Sequence, residues 1–284
     1  MEKVRRNFKG IILIFFVVTN VFIYYAIYKS HAGILKVAFL DVGQGDSILV
    51  ESPVGNQILI DGGSNGKVLE SLGQALPFYD RSIDAVIATH PDKDHIGGVP
   101  EILKNYKVNE YFDNGAVAET ATDRELKNKV EKLGIKYELA RSGEVLDIGG
   151  GAYLVIISPS GEPRGSDTNK YSVVAKLIFG EISFLLTGDA PTEVKNKLAI
   201  AYGEGLKSQV LKVAHHGSRN SLSEAFLSAV SPDYSIISAG KDNSYGHPHI
   251  EVLDFLQKIN SKVIETFQYG NIVFESNGAK MKRD

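Results

Sequence analysis

The segment Thr89-His90-Pro91-Asp92-Lys93-Asp94-His95-Ile96-Gly97-Gly98 places two imidazoles and two carboxylates within six positions. It follows the apolar run Ala85-Val86-Ile87-Ala88, so all four polar groups stand at the end of a strand-like stretch. Nitrogen and oxygen donors grouped in this way suit borderline or hard dications such as Zn²⁺, Mn²⁺ or Fe²⁺. A polar surface turn can have the same composition. Three further clusters nevertheless repeat the context: Thr187-Gly188-Asp189, His215-His216-Gly217-Ser218 and Tyr245-Gly246-His247-Pro248 each follow an apolar, β-rich run. The chain has no cysteine, which excludes disulfides and thiolate ligands and leaves metal binding to nitrogen and oxygen.

Local stereochemistry divides these groups. His90 precedes a proline and is biased to extended backbone. Side chains two apart in an extended segment share a face, so His90 and Asp92 can serve one cation while Asp94 and His95 point to another. Gly97-Gly98 lets the chain pass close to the cluster. Asp189 at a strand end can bridge two cations; its competing role is a helix N-cap before Pro191. Of His215 and His216, one can bind metal while the other contacts substrate or protonates a leaving group, and one can equally be a structural histidine. Asp94 joins this pair among the catalytic candidates. His247 lies between Gly246 and Pro248, in a constrained loop suited to a last metal ligand. Asp61 and Asp46 are candidates to orient ligand histidines, with turn formation the stronger alternative for Asp46. His249 reads as an exposed residue at a helix start.

The elements that must position these groups follow from hydrophobic patterning. Strands are expected at 34–39, 47–51, 57–60 and 85–88, with helices at 67–75, from 99 and at 122–133. Four more strands are expected at 145–148, 154–157, 172–178 and 182–186. Alternation follows: helix from 192, strand 210–213, helix from 222, strand 234–237, helix from 251, strand 263–266 and strand 272–274. A β-rich half followed by β-α-β units, without a glycine-rich phosphate loop, predicts two packed sheets with helices outside. No composition break marks a boundary after residue 33, so residues 34–284 are expected to form one domain.

Residues 1–33 read differently. Lys3, Arg5, Arg6 and Lys9 precede a stretch from Gly10 to Tyr28 that is apolar except at Thr19 and Asn20. Its length approaches the roughly 20 residues that span a bilayer. The positive flank predicts a cytoplasmic N-terminus and an extracytoplasmic remainder. An uncleaved signal anchor through residues 10–28 fits this length better than a signal peptide cut at Ser30-His31-Ala32, which would leave a secreted chain. Residues 1–31 hold five basic residues and one acidic residue, leaving 26 basic and 33 acidic in the remainder, a net charge of −7. That is not the footprint of a protein gripping long nucleic acid, although a phosphodiester substrate stays compatible with it.

The ordered set Asp41-Val42-Gly43-Gln44-Gly45-Asp46-Ser47, Asp61-Gly62-Gly63, His90-Pro91-Asp92-Lys93-Asp94-His95, Thr187-Gly188-Asp189, His215-His216-Gly217-Ser218 and Tyr245-Gly246-His247-Pro248 resembles the metallo-β-lactamase superfamily. More narrowly, it resembles the extracytoplasmic hydrolase domain of ComEC-type competence proteins, over roughly residues 34–275. A surface phosphorylcholine esterase group carries similar motifs. The resemblance implies an α+β fold, an αββα four-layer sandwich of two mixed sheets with helices outside, and a dimetal centre at one sheet edge. By motif match, His90 and Asp92 hold one metal, Asp94 and His95 the other, Asp189 bridges, and His247 completes the second site. Asp92 stands where the wider superfamily has a second histidine. The further histidine usually found before the bridging aspartate is absent; Asn169 lies near that place, with Asp167 or water as alternatives. The large membrane channel of competence proteins is not matched, so DNA transport does not carry over.

The expectation is therefore a hydrolase using two divalent ions, Zn²⁺ or Mn²⁺, to activate hydroxide against a phosphodiester, with DNA among the candidate substrates. Hydrolysis of an ester, lactone or β-lactam is the alternative within the superfamily. The missing histidine motivates a third reading, a metal-poor surface binding protein. No protein partner is inferable.

Overall fold

A computed structural model describes residues 12–22 and 33–284. Residues 12–22 form a helix, α1, in which Thr19 Oγ1 and Asn20 Nδ2 donate back to the carbonyls of Phe15 and Phe16, both at 2.8 Å. These local bonds satisfy the two polar side chains within an apolar stretch. Among the described residues, no helix is long and apolar enough to cross a membrane. The basic flank, the rest of the expected anchor and the Ser30-His31-Ala32 segment lie outside the described residues.

The first sheet begins with β1 (Leu35–Phe39), β2 (Ile48–Glu51) and β3 (Gln57–Ile60). Helix α2 (Lys67–Ala75) leads to β4 (Ser82–Ile87), then α3 (Lys93–Ile96), α4 (Val99–Asn105), β5 (Lys107–Asp113), α5 (Ala121–Lys132) and β6 (Lys136–Leu139). The second sheet contains β7 (Val145–Gly149), β8 (Ala152–Ser158), β9 (Val174–Phe179) and β10 (Ile182–Leu186). It continues through α6 (Thr192–Tyr202), β11 (Val210–Lys212), α7 (Glu224–Val230), β12 (Tyr234–Ile237), α8 (Ile250–Lys258) and β13 (Lys262–Glu265). After α9 (Thr266–Tyr269), β14 (Ile272–Ser276) and β15 (Met281–Arg283) return to the first sheet. The strand orders are β15-β14-β1-β2-β3-β4-β5-β6 and β13-β12-β11-β10-β9-β8-β7.

Alternation along each strand builds the layers. In β1, Val37 and Phe39 face the core between the sheets, whereas Ala38 packs outward with α2 and α4 through Val68, Leu72, Val99 and Ile102. On the other side, Leu185, Leu211 and Ile237 pack against Leu198 of α6, Phe226 of α7 and Leu256 of α8. The result is the expected αββα order. Phe274 ties the sheets together, with its ring 6.2 Å from Phe39, 6.0 Å from Phe184 and 5.3 Å from Tyr234.

Strands β5, β6 and β15 and the short helices α3 and α9 were not among the expected elements. β6 is exposed at all four positions and closes one edge of its sheet, so it carries no buried alternation to read. Its Lys-Tyr-Glu-Leu composition instead suits an edge that must resist further pairing.

The pairs β3–β4 and β10–β11–β12 are parallel. Their C-terminal ends therefore lie side by side, and the loops leaving them share one edge of the sandwich with the β1–β2 loop. Parallel strands commonly deliver chemistry at such an edge.

Candidate metal centre

The loops after β3, β4, β10, β11 and β12 meet the β1–β2 loop at this edge, and close backbone contacts hold them. Asp92 is extended, and α3 begins after it. Gly97 and Gly98 follow so closely against the loop after β3 that an added Cβ would lie 2.2 Å from the Ser64 carbonyl and 2.1 Å from that of Gly62. Gly45, at φ +121°, approaches the Asp94 carbonyl in the same way. The Asp46 amide donates to that carbonyl at 3.2 Å. On the second sheet, Thr187 Oγ1 donates to the Lys212 carbonyl at 2.6 Å, joining the loops after β10 and β11. His215 and His216 both adopt left-handed backbone, φ 51° and 54°. Residues other than glycine seldom do so, and such strain collects at functional sites.

Hydrogen bonds orient the histidines. Asp61 accepts from the amide and hydroxyl of Thr89 at 2.8 and 2.7 Å, and its Oδ2 lies 2.8 Å from His95 Nδ1. His216 Nδ1 donates to the Ser238 carbonyl at 2.9 Å. Thr89 Oγ1 lies 3.0 Å from His90 Nδ1. In each ring the Nδ1 contact turns Nε2 towards the cluster, the arrangement that prepares imidazole to bind a metal.

These nitrogens point at carboxylates. His95 Nε2 is 3.3 Å and His216 Nε2 3.7 Å from Asp189, and His216 Nε2 is 3.1 Å from Asp94. Asp94, His95, Asp189 and His216 each offer an atom within 4.8 Å of all the others. His90 Nε2 stands 3.7 Å from Asp92 and 4.0 Å from Asp189. Thr168 Oγ1 donates to Asp92 at 2.7 Å, so the turn carrying Asn169 is fastened to that side. Asn169 Oδ1 is buried without a hydrogen-bond partner among the described residues.

His247 is placed apart from this tight group. Its ring centre is 6.2 Å from that of His216 and 5.7 Å from that of His215, and it stacks on Tyr245. His215 lies at the rim, about one-third exposed, with Nε2 3.8 Å from Asp189 and its amide donating to the same carboxylate at 3.1 Å. Asp167 is exposed and pairs with Lys170. His249 Nδ1 accepts from the Arg219 amide.

Burial favours the neutral form of His216, but Asp189 and Asp46 outweigh it and hold the ring up at about 9. His95 is raised in the same way: burial opposes, and Asp189 and Asp61 prevail. For Asp94, burial is outweighed by the hydrogen bond from His216 and the charge of His95, which keep the carboxyl below its usual range. Burial and the neighbouring His216 and His215 push His247 down to about 4. The residues present fit a divalent cation. Nε2 of both His90 and His95 is buried beside the Asp189 carboxylate without a hydrogen-bond partner among the described residues. The donor set is purely nitrogen and oxygen, as zinc or manganese accepts.

Two supporting residues escaped the motif reading. Lys212 is fully buried in β11 and bonds Asp46 at 2.7 Å, so Asp46 joins Lys212 to the cluster through its 3.3 Å approach to His216. A lysine inside the apolar run Val210-Leu211-Lys212-Val213 was the available signal. Thr89 was read only as the start of a motif, yet its hydroxyl touches Asp61 and His90.

Comparison with known proteins agrees with this architecture. Residues 40–241 match the family described as the Metallo-beta-lactamase superfamily. The chain is 35% identical over 257 residues to ComE operon protein 3 of Bacillus subtilis, covering 84% of this chain and 33% of that protein. It is 35% identical over 242 residues to Recombination protein 2 of Haemophilus influenzae, covering 84% and 28%. The chain thus spans about a third or less of the length of these curated relatives. In fold it is similar to Igni18, a metallo hydrolase from the archaeon Ignicoccus hospitalis, with TM-score 0.54, 16% identity and coverage of 85% and 98%. With its motifs on these loops, its two sheets in this order and most of its length matched, the chain belongs to the metallo-beta-lactamase superfamily and is related there to competence proteins.

Proposed function

We propose that the chain is a metal-dependent phosphodiesterase with DNA among its substrates. The observation that carries this reading is the convergence of Asp94, His95, Asp189 and His216 at one sheet edge, beside a solvent-open His215. In this reading, those four residues would hold one cation. His90, Asp92 and Asn169 would hold a second, with Asp189 within reach of both. Zn²⁺ or Mn²⁺ would supply Lewis-acid charge and draw the pKa of water down toward about 7. The chain's own groups do the positioning. Asp61 fixes His95 and the Ser238 carbonyl fixes His216, so neither ring must reorient to bind. His215 stands where it can stabilise developing charge or pass a proton to the leaving oxygen.

Relatives named for recombination and for competence, the latter the Competence protein ComA of Neisseria gonorrhoeae at 30% identity over 239 residues, support a nucleic-acid phosphodiester over an ester, lactone or β-lactam. Asp92 at the superfamily's second histidine position supports the same choice. The apolar run at 10–28 behind a basic flank supports a membrane-anchored domain facing the extracytoplasmic side.

The test is hydrolysis of a bis-aryl phosphate and of single-stranded DNA with Mn²⁺ or Zn²⁺, together with elemental analysis of protein purified without chelators. Turnover and close to two ions per chain are expected, both lost in Asp189→Ala. No turnover with either ion in wild type would overturn the reading. Less than one ion per chain would favour the metal-poor binding protein.

A further inference from the structure

Tyr245 has no role in the reading above, yet it is placed for one. Its ring lies nearly parallel to His247, at 5.6 Å between centres and 20° between planes, and the residue is 65% exposed. One face is thus covered by His247 and the other is open. His247 in turn sits beside His215 and His216, so the aromatic pair adjoins the cluster directly. Asn243 fixes the loop that carries both rings. Its Oδ1 accepts from the amides of Tyr245 and His247 at 3.2 and 3.0 Å, and its Nδ2 donates to the carbonyls of Gly240 and His247 at 2.9 and 2.6 Å. The platform is therefore ordered before any ligand arrives, which lowers the entropic cost of binding to it.

We propose that Tyr245 is a stacking platform for a nucleobase, so that the site takes a base-bearing, single-stranded phosphodiester. The inference rests on the phosphodiesterase reading and deepens it. A planar group on a diester, held a short fixed distance from the phosphorus, is what a nucleotide presents. Stacking on an exposed aromatic ring accepts any base, because every base has a π-face, and that face is free only in an unpaired strand. The −7 net charge of residues 32–284 argues against affinity built on a basic phosphate track, which leaves the base as the recognisable part. A quaternary ammonium headgroup is the competing ligand of aromatic clusters, but it calls for several walls around one point. Here Tyr245 and His247 are parallel, and His249 meets the far ring edge-on at 60°, so the rings form one open surface and no cage.

The experiment compares a short oligothymidylate with the same backbone carrying abasic sites, in wild type, Tyr245→Leu and Tyr245→Phe. Wild type is expected to prefer the base-bearing strand in kcat/KM. Tyr245→Leu should lower that preference about tenfold, through KM more than kcat, and Tyr245→Phe should restore it. Fluorescence anisotropy with the labelled strands reads the same preference without turnover. An unchanged preference in Tyr245→Leu overturns the platform. So does Tyr245-dependent preference for glycerophosphocholine over the oligonucleotide. Cleavage of a bis-aryl phosphate with no preference for the base-bearing strand overturns the platform and leaves the phosphodiesterase reading standing. If no diester is cleaved, that reading falls, and the anisotropy comparison alone decides the platform.

Discussion

The two sides of the cluster are built to different standards. On one side, Asp94, His95, Asp189 and His216 crowd within 4.8 Å, and each histidine is braced from behind by a buried acceptor. On the other side, His90 reaches Asp92 only at 3.7 Å, and the Asp92 side chain is 42% exposed and held by a single threonine hydroxyl. Binding strength follows how much of a site is already fixed, because ligands that must be ordered or desolvated reduce the gain. The crowded side should therefore hold its cation tightly and the open side should exchange it. Asp189 stands between the two.

The largest effect is expected at Asp189. Its replacement by Ala should remove both ions and lower hydrolysis on the order of 10³-fold or more, beyond the roughly 10–100-fold typical of losing an outer hydrogen-bond partner. Retention of two ions, read by elemental analysis, would break the idea of a shared carboxylate. Next come the variants that separate the sides. His216→Ala should cost the tight ion, while Asp92→Ala should cost only the weakly held one, seen as loss of the second step in a chelator titration. His247→Ala should leave the count of ions unchanged, since its ring lies 6.2 Å from that of His216 and outside the tight group. A lost ion in His247→Ala with none lost in His216→Ala would restore the ligand set implied by motif order alone. A smaller effect is expected from Asp61→Asn. It keeps the shape but weakens the bond that orients His95, and should reduce tight-site affinity about 10–100-fold. An affinity within twofold of wild type would show that packing alone orients the ring.

The same contrast separates what is legible in the sequence from what is not. The strands that carry the site, β1 to β4 and β10 to β12, are apolar runs that end in polar motifs, so periodicity and punctuation located them to within a few residues. β6 was invisible because an exposed edge strand has no buried face. Motif order suggests His247 as the last ligand and the geometry groups His216 instead with Asp94, His95 and Asp189; spacing along the chain cannot say which ring a loop turns inward. The left-handed backbone at His215 and His216 sends His216 under the loop, where Ser238 and Asp46 meet it, and that turn has no linear signature. Asp61 and Asp46 were legible as candidates, but their partners Thr89 and Lys212 were not, because a hydroxyl or ammonium at the end of an apolar run gains meaning only from what faces it.

A last prediction, read in stability and not in activity, tests how far the crowded side depends on the buried pair Asp46–Lys212, using a second buried lysine as the contrast. Lys212 is answered by a carboxylate at 2.7 Å. Lys195, on α6, is also buried, but its ammonium meets the Ser221 carbonyl and lies over the Phe226 ring, with no carboxylate in contact among the described residues. Burial holds Lys195 down at about 7, against about 10.4 in an unfolded chain. Between those values the unfolded state binds more protons, so this group makes stability rise with pH from about 7 to 10, and its full penalty is felt below 7. Lys195→Met should therefore raise the melting temperature at pH 6.5, by roughly 2–4 °C per kcal/mol of penalty removed, and the gain should shrink towards pH 10. Lys212→Met should do the opposite, costing about 3–5 kcal/mol because it leaves Asp46 charged and buried without its partner. If Lys212→Met raised stability as Lys195→Met is expected to, the crowded side would owe its order to apolar packing and not to the ion pair beneath it.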